Sequence, residues 1–260
     1  ASQFGYVTPY LGASGAAAVV VVLTVLFLEE TVTEAERAIN QDKKDDSMSL
    51  KAVFRNMPLV SVLAIGFGSQ LAFSMLQATF SLFGEAVIFA ENPEQTELGV
   101  GILLAMAGLG QISAQAFLVR RLVKWFGESP LIVIGGLLRG IPLFMMMIYP
   151  DPVFVGAALF IFALGSGVQG PALQSLATNT VDDSNRGGVL GVYQSSLSLS
   201  IIVGSAIAGA LFSITPQTPF LIGGLIFMVM LIPAFMLVRW AQKQDFSDDS
   251  VSPAVASSGD

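Results

Sequence analysis

The sequence contains no cysteine and no histidine. Within this chain that excludes disulfides, thiol catalysis, zinc sites and haem ligation built on those residues, and Ser-His-Asp catalysis. Charge is also scarce, at 12% of residues, about half the usual share in soluble domains. The formal net charge is −7, but the acids cluster in loops and in the tail. This balance argues against a nucleic-acid partner or a polybasic lipid-binding role. No cluster of acids at one membrane depth suggests an enzyme, and no cofactor or metal is implied. What is abundant is apolar: 53% of residues are hydrophobic and mean hydropathy is +0.72. That composition reads as a polytopic membrane protein embedded in a lipid bilayer.

Charge-free runs locate the spans, since about 20 apolar residues cross the hydrocarbon core. They are Val7 to Leu28, Pro58 to Phe83, Leu98 to Val119, Pro130 to Tyr149 (interrupted by Arg139), and Val153 to about Ala177. A long apolar reach from Gly187 to Val238 is divided by Thr215-Pro216-Gln217-Thr218-Pro219, where two prolines stop a helix. This predicts an all-α membrane protein of seven transmembrane helices. No basic n-region or small-residue cleavage site follows Ala1, so the first span does not read as a signal peptide.

Of the 12 basic residues, 11 fall in alternate connections: the loops after spans one, three and five, and the tail. The remaining one is Arg139, inside span four. The positive-inside rule then predicts a cytoplasmic C-terminus. Leu50, Val53, Phe54 and Met57 have helical spacing, so residues near the end of the 29–57 loop are expected to form a short interfacial helix. From Gln244 onward the tail is acidic and Ser-rich, which predicts disorder.

The run from Arg186 to Phe212 carries small residues four apart. Gly187, Gly191 and Ser195 come first, then Gly204, Ala208 and Phe212. Small rows let membrane helices approach closely, so Gly187, Gly191, Ser195 and Gly204 are helix-packing candidates. Arg186-Gly187, Gly191, Tyr193-Gln194-Ser195, Leu199, Gly204 and Gly209 resemble the eleventh helix of major facilitator superfamily transporters. The drug:proton antiporter branch, with the tetracycline-efflux-like proteins, is the nearest match. That family often has proline after the glycine at Gly204, where this chain has Ser205. Arg120, Arg121, Lys124 and Gly127 resemble the second copy of the family's basic cytoplasmic-loop signature. Gly5 to Tyr10 resembles the entry to helix six, and Glu29-Glu30-Thr31 its acidic end.

The resemblance implies a division into four parts. Residues 1–28 would be the last helix of the N-terminal half, and 29–57 the central cytoplasmic loop. Residues 58–240 would be the C-terminal six-helix bundle, and 241–260 the cytoplasmic tail. Helices one to five would be absent from this sequence and would be partners of the bundle. The implied function is proton-coupled efflux of small amphipathic drug-like substrates across the cell membrane by alternating access. Uptake of a metabolite is the alternative, as is a membrane scaffold if the chain is complete.

Span two places Gln70, Ser74 and Gln77 on one face. Such a stripe must meet a cavity or a hydrogen-bonding neighbour. Span five carries Ser166 and Gln169 within a Gly- and Pro-rich run ending at Pro171, which reads as a kink, a cavity wall, or both. Gln111 of span three is a further cavity candidate. In the resembled fold, spans two and five surround the substrate cavity, whose wall is expected to be neutral, with Phe73, Met75 and Phe162. Arg139 is the intramembrane charge, near the midplane. It either has a functional role or snorkels or caps a neighbour's carbonyls, since the resemblance puts its helix at the periphery. It stays charged and so cannot carry protons. The spans offer no acid for that task, so the proton carrier is expected outside this sequence.

Overall fold

The computed structural model describes residues 7–27, 53, 55–181 and 185–251, the side chains of 7–10, 13 and 242–251 excepted. The described residues are helical throughout their regular structure. The chain divides into two compact units, Ala1–Ser47 and Met48–Asp260. In the first, helix α1 (Val7–Phe27) is a single charge-free rod.

Among its described residues, the second unit holds six helices long and apolar enough to cross a membrane. Helix α2 (Met57–Phe83) starts where Asn56 Oδ1 accepts from Leu59 N and proline follows within the first turn. Both features satisfy or remove donors that a helix start leaves unpaired. The Asn56 amide also donates to Thr180 O at 2.9 Å, tying this end to another helix terminus. After α2 comes a π-helical turn over Gly84–Ile88. Helix α3 (Thr96–Ser113) runs through a second π turn, Ala114–Leu118, into α4 (Val119–Phe126). Gly127 then reverses the chain at φ 75°, a left-handed conformation that costs glycine little. Helix α5 (Glu128–Ile148) follows at once.

Helix α6 (Pro152–Asn179) is capped by Asp151, whose Oδ1 accepts from Val153 N and Phe154 N at 3.0 and 3.1 Å. It remains continuous through its Gly- and Pro-rich run. Helices α7 (Arg186–Ile214) and α8 (Thr218–Val251) are separated at the Thr215–Gln217 turn. Helix α8 runs on to Val251, past Gln244 where disorder is expected; residues 252–260 of that tail lie outside the described residues. Gln242, Lys243 and Gln244 favour helix, and no glycine or proline intervenes before Pro253. Of the four residues that carry the expected interfacial helix, Leu50 and Phe54 lie outside the described residues; Val53 is buried in the core.

Packing follows the order α3–α6–α5–α8–α2–α7. Helices α2, α5 and α6 are the most buried, whereas α3 and α7 at the two ends of that order expose most of their surface. Glycines permit the close contacts. A Cβ built on Gly165 would stand 2.9 Å from Gly135 O across the α5–α6 contact. A Cβ on Gly204 would stand 2.7 Å from Leu71 O across the α2–α7 contact. Two apolar clusters fill the bundle. One gathers Leu59, Ile65, Leu131, Leu173 and Leu237; the other gathers Phe80, Phe83, Leu143, Phe220 and Phe227. At the junction of these clusters lies a buried polar group: Ser69, Arg139 and Gln169.

Candidate functional site

A cavity of about 620 Å³ opens among α2, α3, α6 and α7, with one residue of α5 in its wall. Helix α2 contributes Ser69, Gln70, Phe73 and Gln77, one face of the helix over two turns. Helix α3 adds Leu104 and Gln111, α6 adds Phe162 and Ser166, and α7 adds Tyr193 and Leu197. The wall therefore mixes amides and hydroxyls with a larger apolar area. It is large enough to enclose a drug-sized molecule.

The residue from α5 is Arg139. Its side chain does not snorkel: it is only 6% exposed. Nη1 donates to Gln169 Oε1 at 2.9 Å, and Nη2 donates to Ser69 O at 3.3 Å. Three rings surround the guanidinium carbon, with centroids at 4.7 Å for Phe227, 5.2 Å for Phe162 and 5.8 Å for Phe73. Cation–π attraction of this kind strengthens where water is excluded. Gln169 is fixed in turn, because its Nε2 donates to Ile132 O at 3.1 Å. That amide thus presents its oxygen to the guanidinium and bridges α5 to α6. Arg139 Nε and Ser69 Oγ are buried without a hydrogen-bond partner.

The sequence-predicted residues divide into distinct environments. Gln70, Gln77, Gln111 and Ser166 line the cavity, as does Arg139. Ser74 does not. It is buried at the α2–α7 contact, where Oγ donates to Leu71 O at 2.9 Å. Gln169 stands behind the wall as the partner of Arg139. Phe73 and Phe162 are in the wall, but Met75 is buried elsewhere in the core. The expectation of a neutral wall is corrected by the guanidinium within it, and α5, expected at the periphery, is among the most buried helices.

Of the packing candidates, Gly204 meets α2. Gly187, Gly191 and Ser195 are exposed within the described residues. Arg120, Arg121 and Lys124 form an exposed basic edge on α4, while Leu122 and Val123 pack onto the core. Gly127 is the left-handed turn that follows. Sequence reasoning missed Phe227 and the placement of Tyr193 and Leu197 on the wall. No local signal marks Phe227, which is one apolar residue in an apolar helix.

A family model described as the Major Facilitator Superfamily matches residues 76–254, which include most of the cavity wall. The chain belongs to the Major Facilitator Superfamily. Among curated relatives, it is 26% identical to the class E tetracycline resistance protein of Escherichia coli over 220 residues, 84% of this chain and 53% of that protein. It is 25% identical to multidrug resistance protein 2 of Bacillus subtilis over 244 residues, 93% of this chain and 59% of that protein. The class C tetracycline resistance protein of Escherichia coli is 26% identical over 193 residues, 72% of this chain and 47% of that protein. The chain spans about half the length of the curated relatives it matches. As a superfamily member with six long apolar helices, it is a multi-pass membrane protein of a transporter family.

Proposed function

We propose that residues 58–240 form the C-terminal half of a secondary active transporter that exports small amphipathic, drug-like compounds against proton entry. The observation that carries this reading is the cavity between α2, α3, α6 and α7. It lies mid-way along apolar helices and is walled by amides, hydroxyls and aromatic rings. Transporters hold substrate at such a depth, and rocking of two bundles about it gives alternating access. The names of the relatives, tetracycline and multidrug resistance proteins, support efflux of drug-like compounds over uptake of a metabolite.

The remaining parts are assigned with it. Residues 1–28 supply the last helix of the other half, 29–57 the central cytoplasmic loop, and 241–260 a cytoplasmic tail. The exposed faces of α3 and α7, with Gly187, Gly191 and Ser195, suit docking of that other half. The protein resides in the cell membrane with its C-terminus in the cytoplasm. Its proton carrier belongs to the other half, because no acid lines this cavity among the described residues and arginine stays protonated. The partners are the bilayer, the remaining helices, substrate and protons; no enzymatic step is involved.

The test is efflux of a fluorescent amphiphile from cells expressing the full-length protein, before and after a protonophore collapses the gradient. Gradient-dependent efflux is expected. Export that continues unchanged after collapse removes the coupling, and accumulation in place of export reverses the direction.

A further inference from the structure

The cavity holds a fixed positive charge, and among the described residues no acid lines it. Taking a guanidinium out of water is costly unless its donors are satisfied and its charge is countered. Here each terminal nitrogen of Arg139 has one neutral acceptor, the Gln169 amide or the Ser69 carbonyl. Nε has none, and the adjacent Ser69 hydroxyl also lacks a partner. Both residues line the cavity. An arginine kept only to join helices would spend its donors on carbonyls and amides around it. This one is oriented from behind by Gln169 and framed by three rings, with a donor left over on a cavity-lining side chain.

We propose that Arg139 is an anion subsite of the cavity, and that the compound carried is an amphipathic aromatic acid. Its carboxylate meets the guanidinium, and its apolar body lies along Phe73, Leu104, Phe162 and Leu197. The chemistry is that of arginine with carboxylate, a planar donor fork against two oxygens. The surrounding rings raise selectivity, because they exclude water from the ion pair and leave a neutral amide head group only the weaker bond of an uncharged acceptor. The inference rests on the transport reading and narrows its substrate class. The same carboxylate chemistry also arises from an acid in the rest of the full-length protein, and the experiment separates the two sources.

Equilibrium binding of 2-naphthoate and its neutral isostere 2-naphthamide is measured on the purified full-length protein. The acid should bind at least about tenfold more tightly than the amide. Arg139→Gln should abolish that preference, with a monodisperse size-exclusion profile in detergent showing that the variant is folded. Arg139→Lys should retain part of the preference. Equal affinity of acid and amide in the wild type overturns the subsite, and is the result expected if an acid elsewhere in the protein already occupies Arg139. A preference that survives Arg139→Gln overturns it as well. Gradient-driven export of a neutral amphiphile alongside equal binding would leave the transport reading standing and remove only the subsite. Acid-selective binding without gradient-dependent export would do the reverse.

Discussion

At the scale of single residues, Gln169 decides whether Arg139 is tolerable. Its oxygen accepts from Nη1 and its nitrogen donates to Ile132 O, so both ends of the amide are spent. Gln169→Leu keeps the side-chain bulk but removes both bonds. It leaves a buried guanidinium with one acceptor, while Ile132 O keeps its bond within the α5 helix. Orphaning a buried polar group costs about 1–3 kcal/mol, and more for a charged one. We expect a loss of roughly 3 kcal/mol, read as a clear fall in melting temperature in detergent. Arg139→Gln should be milder, because it removes the buried charge along with its needs. If Gln169→Leu melts at the wild-type temperature, the bond to Arg139 is not structural and the polar group at the cluster junction is looser than described.

At the scale of helices, α7 has two unlike halves. Gly204 is buried against α2, whereas a Cβ on Gly191 would meet nothing within 4 Å. Gly204→Leu should force α7 away from Leu71 and Ser74, with an overpacking cost of at least about 1–3 kcal/mol and a low yield of folded protein. Gly191→Leu should fold normally yet impair efflux, if that face receives the other half of the transporter. Melting curves and efflux rates on the same two variants check both statements. The sequence made the rods themselves easy to read, because a charge-free run of about 20 residues has few uses other than a span. It also located the polar stripe on α2. It could not say what covers each part of that stripe. Gln70 and Gln77 reach the cavity while Ser74, between them in sequence, meets α7. The partners of Arg139 lie 30 and 70 residues away. Periodicity fixes a face, but only long-range packing decides its neighbour.

At the scale of the whole molecule, the distribution of basic residues and the length of one rod make orientation testable. The rod from Pro93 to Phe126 is 34 residues long. At 1.5 Å per residue that is about 50 Å, well beyond a hydrocarbon core of about 30 Å. Glu94 and Lys124, near its two ends and both exposed, must therefore stand in opposite aqueous phases. Lys124 belongs to the basic edge that also contains Arg120 and Arg121, and the positive-inside rule assigns that edge to the cytoplasm. This sequence has no cysteine of its own, so single introduced thiols report cleanly from it. In intact cells, a membrane-impermeant maleimide should label the Glu94→Cys variant. The Lys124→Cys variant should be labelled only after permeabilisation. The opposite pattern would invert the bundle, place the C-terminus outside, and turn the proposed direction of access around with it. Labelling of both variants in intact cells would contradict the span itself.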